Sequence, residues 1–241
     1  MTHTETGRMP PGAAWALPTS ARRVLVLAPP LAFAALAIAH PRPDVNAQAV
    51  MDVATWFMTF HLIQLALTGL VALSVLLIAD DFGRASAWTT RLGIGAFMVF
   101  FSAYDSLAGI GTGLAMREAR DLPAPQQDGV FAVVKDWPDL EPVAFSLNVV
   151  GTLGWVLAVG ALAIAARRAG APRAQWIFIG LAAFFLMGGH PAPFGALAFG
   201  CLSVAALLRE WSGSRPEPSW SHGSGAPRAP RRDADDALER P

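Results

Sequence analysis

Residues 53–79 read VATWFMTFHLIQLALTGLVALSVLLIA, a run of 27 residues that contains no Asp, Glu, Lys or Arg. A helix of about 20 apolar residues crosses the hydrocarbon core of a bilayer, and water-soluble domains rarely contain an uncharged stretch of this length. The run therefore predicts a membrane-spanning helix. It also carries His61 and Gln64, two polar side chains that a spanning helix must turn away from lipid.

Four other runs almost free of charged residues occupy residues 24–39, 92–116, 143–166 and 176–208. The last of them, as a single helix, would extend about 50 Å, well beyond the bilayer core. Its centre reads GGHPAP at residues 188–193, and proline there ends a helix. We therefore expect two short helices joined by a turn, and six spans in all. Five spans with a re-entrant hairpin are the alternative.

The distribution of positive charge tests this count, because Lys and Arg are enriched in cytoplasmic loops. With a cytoplasmic N-terminus and six spans, 14 of the 18 Lys and Arg residues fall on the cytoplasmic side. An odd number of spans would move the Arg-rich C-terminal segment to the other side. The predicted fold class is therefore all-α: a polytopic bundle of six transmembrane helices with both termini cytoplasmic, in the cell membrane (the inner or plasma membrane).

Composition supports the same class, since 54% of the residues are hydrophobic and 15% are charged, against about 25% charged in a soluble domain. The equal numbers of acidic and basic residues, 18 each, give no reason to expect a nucleic-acid partner. The expected partners are the lipid bilayer and a small molecule or ion, and the oligomeric state stays open. The single cysteine, Cys201, excludes an intrachain disulfide.

Three regions are predicted along the chain. Residues 1–22 and 210–241 are rich in Pro, Gly, Ser and charge, which predicts disordered cytoplasmic tails. Residues 23–209 are predicted to form the six-helix transmembrane domain. A cleaved signal peptide is the alternative for the first span, because residues 37–39 read AIA, a pattern found at cleavage sites.

The predicted outer loop, residues 117–141, has a net charge of −3. Within it, the spacing of one helix face is shown by Val130, Val133, Val134 and Trp137. This pattern predicts an amphipathic helix that lies flat on the outer membrane surface. A lid folded over the bundle is the alternative.

Five polar side chains are predicted to share the outer half of the membrane. His40 and His190 end outward-going helices, each in a His-Pro-x-Pro stretch, HPRP at 40–43 and HPAP at 190–193. His61 lies about 12 Å below the outer end of its span, and Asp105 and Asn148 also fall in the outer half. Helix termination and capping by themselves explain both His-Pro-x-Pro stretches, and a role in a site is the alternative.

Helical periodicity gives each of three spans one small and polar face, which we expect to line the interior of the bundle. The members of these faces are His61, Gln64 and Thr68 on the second span; Ser102, Asp105, Ser106, Gly109, Thr112 and Gly113 on the third; and Asn148, Gly151, Thr152 and Trp155 on the fourth. An ionised carboxylate inside the bilayer costs about 2.5–3.5 kcal/mol, so Asp105 needs a partner. His61 is the expected partner, and a neutral Asp105 bonded to Ser102 or Ser106 is the alternative.

This set predicts a polar pocket that opens outward and binds a ligand or proton through His61, Gln64, Ser102, Asp105 and Asn148. Three imidazoles and one carboxylate also supply the ligand atoms of a metal site. The candidate metal ligands are His40, His61, Asp105 and His190, with zinc as the candidate ion, and the cofactor itself stays open. The spacing does not favour this interpretation, because the sequence has no His-x-x-x-His or His-Glu-x-x-His pair.

Four stretches carry a resemblance to known proteins. The HP pair after the first span, TWFMTFHLIQL (55–65), FSAYDSLAGIGTGL (101–114) and GGHPAPFG (188–195) resemble a group of multi-span membrane proteins of GC-rich bacteria. The resemblance covers residues 24–209. It implies a multi-span helical fold, and it implies no activity because none is established for that group.

The predicted function is that of an integral membrane protein that binds or transports a small ligand, an ion or a proton, and not that of an enzyme. A zinc-dependent intramembrane hydrolase is the first alternative. A scaffold whose polar groups only hold the helices together is the second.

Overall fold

The structure is a computed structural model of the chain and describes residues 17–41, 47–82, 84–137 and 142–211. Within these residues all regular secondary structure is helical, in agreement with the predicted all-α class. Helix α1 spans Thr19–Ile38, and α2 spans Ala47–Ala79 and continues into a 3₁₀ turn at Asp80–Phe82. Most of both predicted disordered tails lies outside the described residues.

Helix α3 is one helical rod with two changes of winding. Its α-helical segments are Arg84–Ala96, Ser102–Asp105 and Thr112–Glu118, its π-helical segments are Phe97–Phe101 and Ser106–Gly111, and it ends in a 3₁₀ turn at Ala119–Asp121. The two π-helical segments therefore lie on either side of the short segment that ends at Asp105. Segments of this kind are rare and are frequent at functional sites.

Four further helices complete the described fold: α4 at Ala124–Val134, α5 at Val143–Arg168, α6 at Arg173–Phe185 and α7 at Phe194–Trp211. The predicted break in the last apolar run is observed, since α6 passes into a 3₁₀ turn at Leu186–Gly188 before α7 begins. Gly189 has a φ of 100° in this turn, a left-handed conformation that favours glycine.

Five helices of the described chain are long and apolar enough to cross a membrane: Thr19–Ile38, Ala47–Phe82, Ala87–Asp121, Val143–Arg168 and Phe194–Trp211. The segment Arg173–Gly188 is apolar but shorter. Large apolar side chains point outward from these helices, and Leu92, Val99 and Phe184 are 69%, 64% and 65% exposed. An exposed apolar surface of this extent is compatible with contact to lipid in an integral membrane protein.

The six principal helices form a closed ring, with α4 attached outside it. Helix α1 packs on α2, α2 on α3, α3 on α5, α5 on α6 and α6 on α7, and α7 returns to α1. Neighbours in the ring are thus neighbours in the chain, as in an up-and-down bundle with short connections. The return of α7 to α1 brings the two ends of the described chain together.

An aromatic cluster fills the centre of the ring. The ring centroids of Phe33 and Phe199 are 4.0 Å apart, those of Trp155 and Phe199 are 5.4 Å apart, and those of Phe97 and Trp155 are 5.1 Å apart. The indole N–H of Trp155 donates to the carbonyl oxygen of Ala182 at 3.0 Å, which satisfies the polar atom of this buried side chain. Trp155 therefore faces inward, as predicted from its helical periodicity.

The two ends of the bundle differ in charge. At the end named here the arginine end, Arg22 at the start of α1 and Arg209 near the end of α7 both contact Asp81, at 2.7 Å and 3.2 Å. These ion pairs join the first and the last described helix to the end of α2. The opposite end, named here the histidine end, carries His40 after α1 and His190 before α7.

Helix α4 packs against the bundle at the histidine end. Val134 is buried, and Val130, Phe131 and Trp137 pack with it against the first turns of α2 and the last turns of α3. Val133, the fourth member of the predicted face, is not part of this contact and is 57% exposed. Phe131 packs there instead.

Helices α3 and α5 approach each other closely at glycine. A Cβ atom at Gly154 would lie 2.7 Å from the backbone nitrogen of Phe97 and 2.8 Å from the backbone oxygen of Gly93. Small residues at a helix crossing let two backbones meet in this way. Gly160, on the same helix, is different, because a Cβ atom there would meet no heavy atom within 4 Å.

We expect Gly154→Ala to lower the free energy of unfolding by about 1–3 kcal/mol, because the new methyl group forces two backbones apart. Gly160→Ala should leave it unchanged or raise it by up to about 1 kcal/mol, since alanine favours the helix over glycine. Unfolding of both variants in detergent micelles measures the difference. Equal stability of the two variants would show that α3 and α5 do not meet at Gly154.

Candidate functional site

Three histidine side chains meet at the histidine end of the bundle. His40 follows the end of α1, His61 lies within α2, and His190 lies in the turn between α6 and α7. One ligand nitrogen from each of them lies within 4.8 Å of the others. These residues are far apart in the chain, so their contact depends on the closure of the ring that returns α7 to α1.

The two His-Pro-x-Pro stretches come together in this cluster. The Nε2 atoms of His190 and His40 are 3.2 Å apart, and the backbone N–H of Ala192 donates to the carbonyl oxygen of Ala37 at 3.1 Å. A Cβ atom at Gly195 would overlap the carbonyl group of His190, so the turn lies directly against the start of α7. Both histidines follow helix ends, as predicted, and both also belong to the cluster.

Asp105 of α3 contributes a carboxyl group at the same place. Its Oδ1 atom lies 3.9 Å from Nε2 of His61 and 3.8 Å from Nε2 of His190. His61 and Asp105 are each only 2% exposed, whereas His40 and His190 are half-buried. The cluster is therefore closed on the side of α2 and α3 and is reached from the side of the two half-buried histidines.

Backbone carbonyl groups set the protonation of two of the imidazoles. Nδ1 of His40 lies 2.7 Å from the carbonyl oxygen of Pro41, and Nδ1 of His61 lies 2.7 Å from that of Phe57. A carbonyl oxygen only accepts, so both Nδ1 atoms carry the proton and the Nε2 atoms of the neutral rings keep their electron pairs. The contact between His190 and His40 is then a hydrogen bond in which His190 donates its Nε2–H.

The environment of the third imidazole disfavours its charged form. Burial, and then the neighbouring imidazoles of His40 and His61, lower the pKa of His190 well below its ordinary value. His190 is therefore neutral at pH 7. A neutral imidazole is the form that binds a metal ion.

Gln64 supplies the hydrogen bond that Asp105 receives. Nε2 of Gln64 donates to Oδ1 of Asp105 at 2.9 Å, and both side chains are buried. The other oxygen, Oδ2, is buried without a hydrogen-bond partner in the described part of the chain. The alternative of an Asp105 bonded to Ser102 or Ser106 is not observed. Ser106 donates to the backbone carbonyl of Ser102, and among the described residues the buried Ser102 hydroxyl has no partner.

The winding of α3 places Asp105 and Gly109 beside α2. The π-helical segments Phe97–Phe101 and Ser106–Gly111 flank Asp105, and each shifts the angular position of the following side chains relative to a regular α-helix. A Cβ atom at Gly109 would overlap the imidazole ring of His61. The absence of a side chain at Gly109 therefore lets this ring lie against the backbone of α3.

Aromatic rings enclose the cluster on the bundle side. The ring centroids of His40 and Phe60 are 4.9 Å apart, and those of His190 and Phe101 are 5.5 Å apart. Sequence reasoning did not place these phenylalanines in the site, because apolar side chains occur throughout the spans and carry no signal of their own. Their effect is to exclude water, which strengthens electrostatic interactions within the cluster.

Asn148 and Ser102 are the predicted site residues whose side chains form no hydrogen bond with this cluster in the described structure. Asn148 is half-buried on α5, and its amide oxygen accepts from the hydroxyl of Thr152 at 3.5 Å. Over residues 17–41, 47–82, 84–137 and 142–211, no hydrogen bond or ion pair joins Asn148 to the imidazoles. The position of a residue along a span predicts its depth in the membrane, but it does not predict which neighbouring helix its side chain faces.

The residues present fit a transition-metal ion. Imidazole nitrogens and carboxylate oxygens are ligands that Zn²⁺ takes in proteins. The electron pairs at Nε2 of His61 and Oδ1 of Asp105 face each other at 3.9 Å, and Oδ2 of Asp105 is left without a partner in the described chain. Such an arrangement attracts a cation.

Comparisons with protein families, curated proteins and solved structures found no match to this chain. The chemistry of the cluster is therefore inferred from its geometry alone.

We expect Gln64→Leu to lower the free energy of unfolding by about 1–2 kcal/mol, because it removes the donor to a buried carboxyl group. The double variant Gln64→Leu/Asp105→Leu should recover most of this loss, since neither member of the pair then lacks its partner. Unfolding of the two single variants and the double variant in detergent gives the coupling energy of the pair. A Gln64→Leu variant as stable as the wild type would contradict this role of the amide.

Proposed function

We propose that this protein is an integral membrane protein that binds one divalent transition-metal ion, zinc foremost, through His40, His61, Asp105 and His190. The observation that supports this proposal is the convergence of three imidazole nitrogens, within 4.8 Å of one another, next to a buried carboxyl group. The proposal specifies the ion for the binding or transport role that the sequence predicts. It also explains why a carboxyl group and three imidazoles lie together at one end of the bundle.

The shortest of the distances is close to that of a tetrahedral site. Zinc bonds of about 2.0–2.2 Å place neighbouring ligand atoms about 3.3–3.6 Å apart. Nε2 of His190 and Nε2 of His40 are 3.2 Å apart. Oδ1 of Asp105 lies 3.8 Å from Nε2 of His190 and 3.9 Å from Nε2 of His61, and the three imidazoles bring ligand atoms within 4.8 Å of one another, so a bound ion would draw the more distant ligand atoms together.

The chain also supplies hydrogen bonds that orient the imidazoles proposed as metal ligands. The carbonyl oxygens of Pro41 and Phe57 hold His40 and His61 in the tautomer that presents Nε2. Loss of a hydrogen bond of this kind typically lowers metal affinity roughly 10- to 100-fold. On metal binding, His190 exchanges its hydrogen bond to His40 for a bond to the ion and carries its proton on Nδ1.

A metal-dependent hydrolase is the second candidate, and the position of Asp105 favours it. Three imidazole ligands with a water molecule in the fourth position are a catalytic pattern for zinc. A carboxylate just outside bonding distance can accept a proton from such a water molecule. Asp105 would take this role if the three imidazoles alone held the ion, since its Oδ1 atom lies 3.8 Å from Nε2 of His190.

The proposal includes six spans in the cell membrane (the inner or plasma membrane), with both termini cytoplasmic. The segment Arg173–Gly188 extends about 24 Å, somewhat less than the hydrocarbon core of about 30 Å. It connects the arginine end to the histidine end, and α7 returns, which supports an even number of crossings. The enrichment of Arg at one end supports the assignment of that end to the cytoplasm.

We expect wild-type protein purified without a polyhistidine tag to contain about one zinc ion per chain, measured by inductively coupled plasma mass spectrometry. His61→Ala and His190→Ala should reduce the metal content to roughly one tenth or less, because each removes a ligand. His222→Ala is the control, since it removes a histidine that is not among the proposed ligands. A wild-type protein with no zinc, copper, iron or manganese above the level of the His61→Ala variant would refute the proposal.

Asp105→Asn separates the two candidate functions within the same experiment. If Asp105 is a ligand, this variant should lose most of its zinc. If Asp105 is a base beside a metal-bound water molecule, the variant should keep its zinc with three imidazole ligands, which X-ray absorption spectroscopy counts.

The topology is tested by labelling single cysteines with a membrane-impermeant maleimide in a Cys201→Ser background. We expect Val133→Cys, which lies on α4 at the histidine end, to be labelled in intact cells. Ala169→Cys, in the connection between α5 and α6, should be labelled only after permeabilisation. Labelling of Ala169→Cys in intact cells would reverse the assigned orientation, and labelling of both positions would show that they lie on the same side.

A further inference from the structure

A groove of about 320 Å³ opens on the outside of the bundle between α5 and α6. It is lined by Ala163, Ile164, Ile177, Gly180 and Leu181, with Arg167 and Trp176 toward the arginine end. A Cβ atom at Gly180 would meet no heavy atom within 4 Å, so this glycine leaves part of the groove unfilled. The groove is therefore apolar along most of its length, with the guanidinium group of Arg167 near one end.

The described basic side chains of the arginine end fall into two groups. Those of the first group form ion pairs with Asp80, Asp81 or Glu210; they are Arg22, Arg23, Arg91 and Arg209. Those of the second group are exposed and, as far as the structure describes the chain, form no ion pair; they are Arg167, Arg168 and Arg173. Arg167 lines the end of the groove, Arg168 follows it in the chain and Arg173 begins α6, so positive charges without a counterion among the described residues lie near the groove and can attract an external anion.

The end of the groove also has the features of a membrane interface. The guanidinium group of Arg167 lies over the ring of Trp176, 5.4 Å from its centroid. Tryptophan is enriched at the boundary between hydrocarbon and headgroups, so this pair marks the headgroup level. Arg173 is the first residue of α6, and the first N–H groups of a helix favour an anion nearby.

We propose that this groove binds an anionic phospholipid, with one acyl chain along the apolar walls and the phosphate group at Arg167, Arg168 and Arg173. The walls between Ile164 and Leu181 suit an acyl chain because they offer no hydrogen-bonding side chain. The unpaired arginines select a headgroup with net negative charge, since a zwitterionic headgroup brings a positive group of its own. This site lies at the opposite end of the bundle from the histidine cluster and does not depend on metal binding.

The experiment counts the lipid molecules retained by delipidated protein after incubation with phosphatidylglycerol or with phosphatidylcholine, using native mass spectrometry. We expect the wild type to retain phosphatidylglycerol roughly tenfold better than phosphatidylcholine. Gly180→Leu fills the groove and should reduce retained phosphatidylglycerol about tenfold. Gly200→Leu on α7 is the matched control, because a Cβ atom there also meets no heavy atom within 4 Å, and it should retain lipid as the wild type does.

A triple variant tests the charges separately from the groove. Arg167→Gln/Arg168→Gln/Arg173→Gln should remove the preference for phosphatidylglycerol and leave retention of phosphatidylcholine unchanged. It changes only exposed side chains, so the result does not depend on whether Gly180→Leu folds. Equal retention of the two lipids by the wild type, or a triple variant with an unchanged preference, would overturn the proposal. So would displacement of phosphatidylglycerol by glycerol 3-phosphate at millimolar concentration, because the arginines would then bind a soluble phosphate.

Discussion

A carboxyl group inside an apolar helix bundle needs a cation, a proton or several hydrogen bonds, because removal of an ion from water is costly. Asp105 imposes this requirement on the histidine end of the bundle, where it is 2% exposed. Gln64 provides one hydrogen bond, while the nearest nitrogen atoms of His61 and His190 lie 3.9 Å and 3.8 Å away. One donor does not satisfy a buried carboxylate, and Nε2 of His61 adds an electron pair instead of a second donor. A cation between these atoms, either a metal ion or a proton on the carboxyl group, would satisfy them together.

The cluster depends on contacts that only glycine permits. Gly109 lets the ring of His61 lie on the backbone of α3, Gly154 lets α5 reach α3, and Gly195 leaves room for the carbonyl group of His190. A methyl group at any of these positions would force the neighbouring group to move, because its Cβ atom would lie less than 3.0 Å from that group. The absence of a side chain at these glycines therefore allows both the close packing of the helices and the arrangement of the histidine cluster.

The two ends of the bundle present different chemical groups. At the arginine end, the ion pairs of Arg22 and Arg209 with Asp81 hold the first and last described helices together, and the unpaired arginines beside the groove remain available to an external anion. At the histidine end, three imidazoles and one carboxyl group converge. Closure of the ring connects the two ends, because the contact between α7 and α1 that forms the ion pairs also brings the turn after α6 to the end of α1.

The sequence by itself determined the all-α class, the long apolar helices and the break before α7, because the requirements of a spanning helix are local to one stretch of chain. Periodicity also identified His61, Gln64 and Asp105 as inward-facing, and all three are buried. Only the tertiary structure decided which inward-facing groups meet. It brings His190 to His40 through the closure of the ring and leaves Asn148 outside the cluster, although its depth along the span is similar. The depth of a residue and the face of the helix on which it lies are properties of a single helix. Which side chains meet depends on the order of the helices around the ring and on the π-helical segments of α3. The periodicity of one stretch of sequence predicts neither of these.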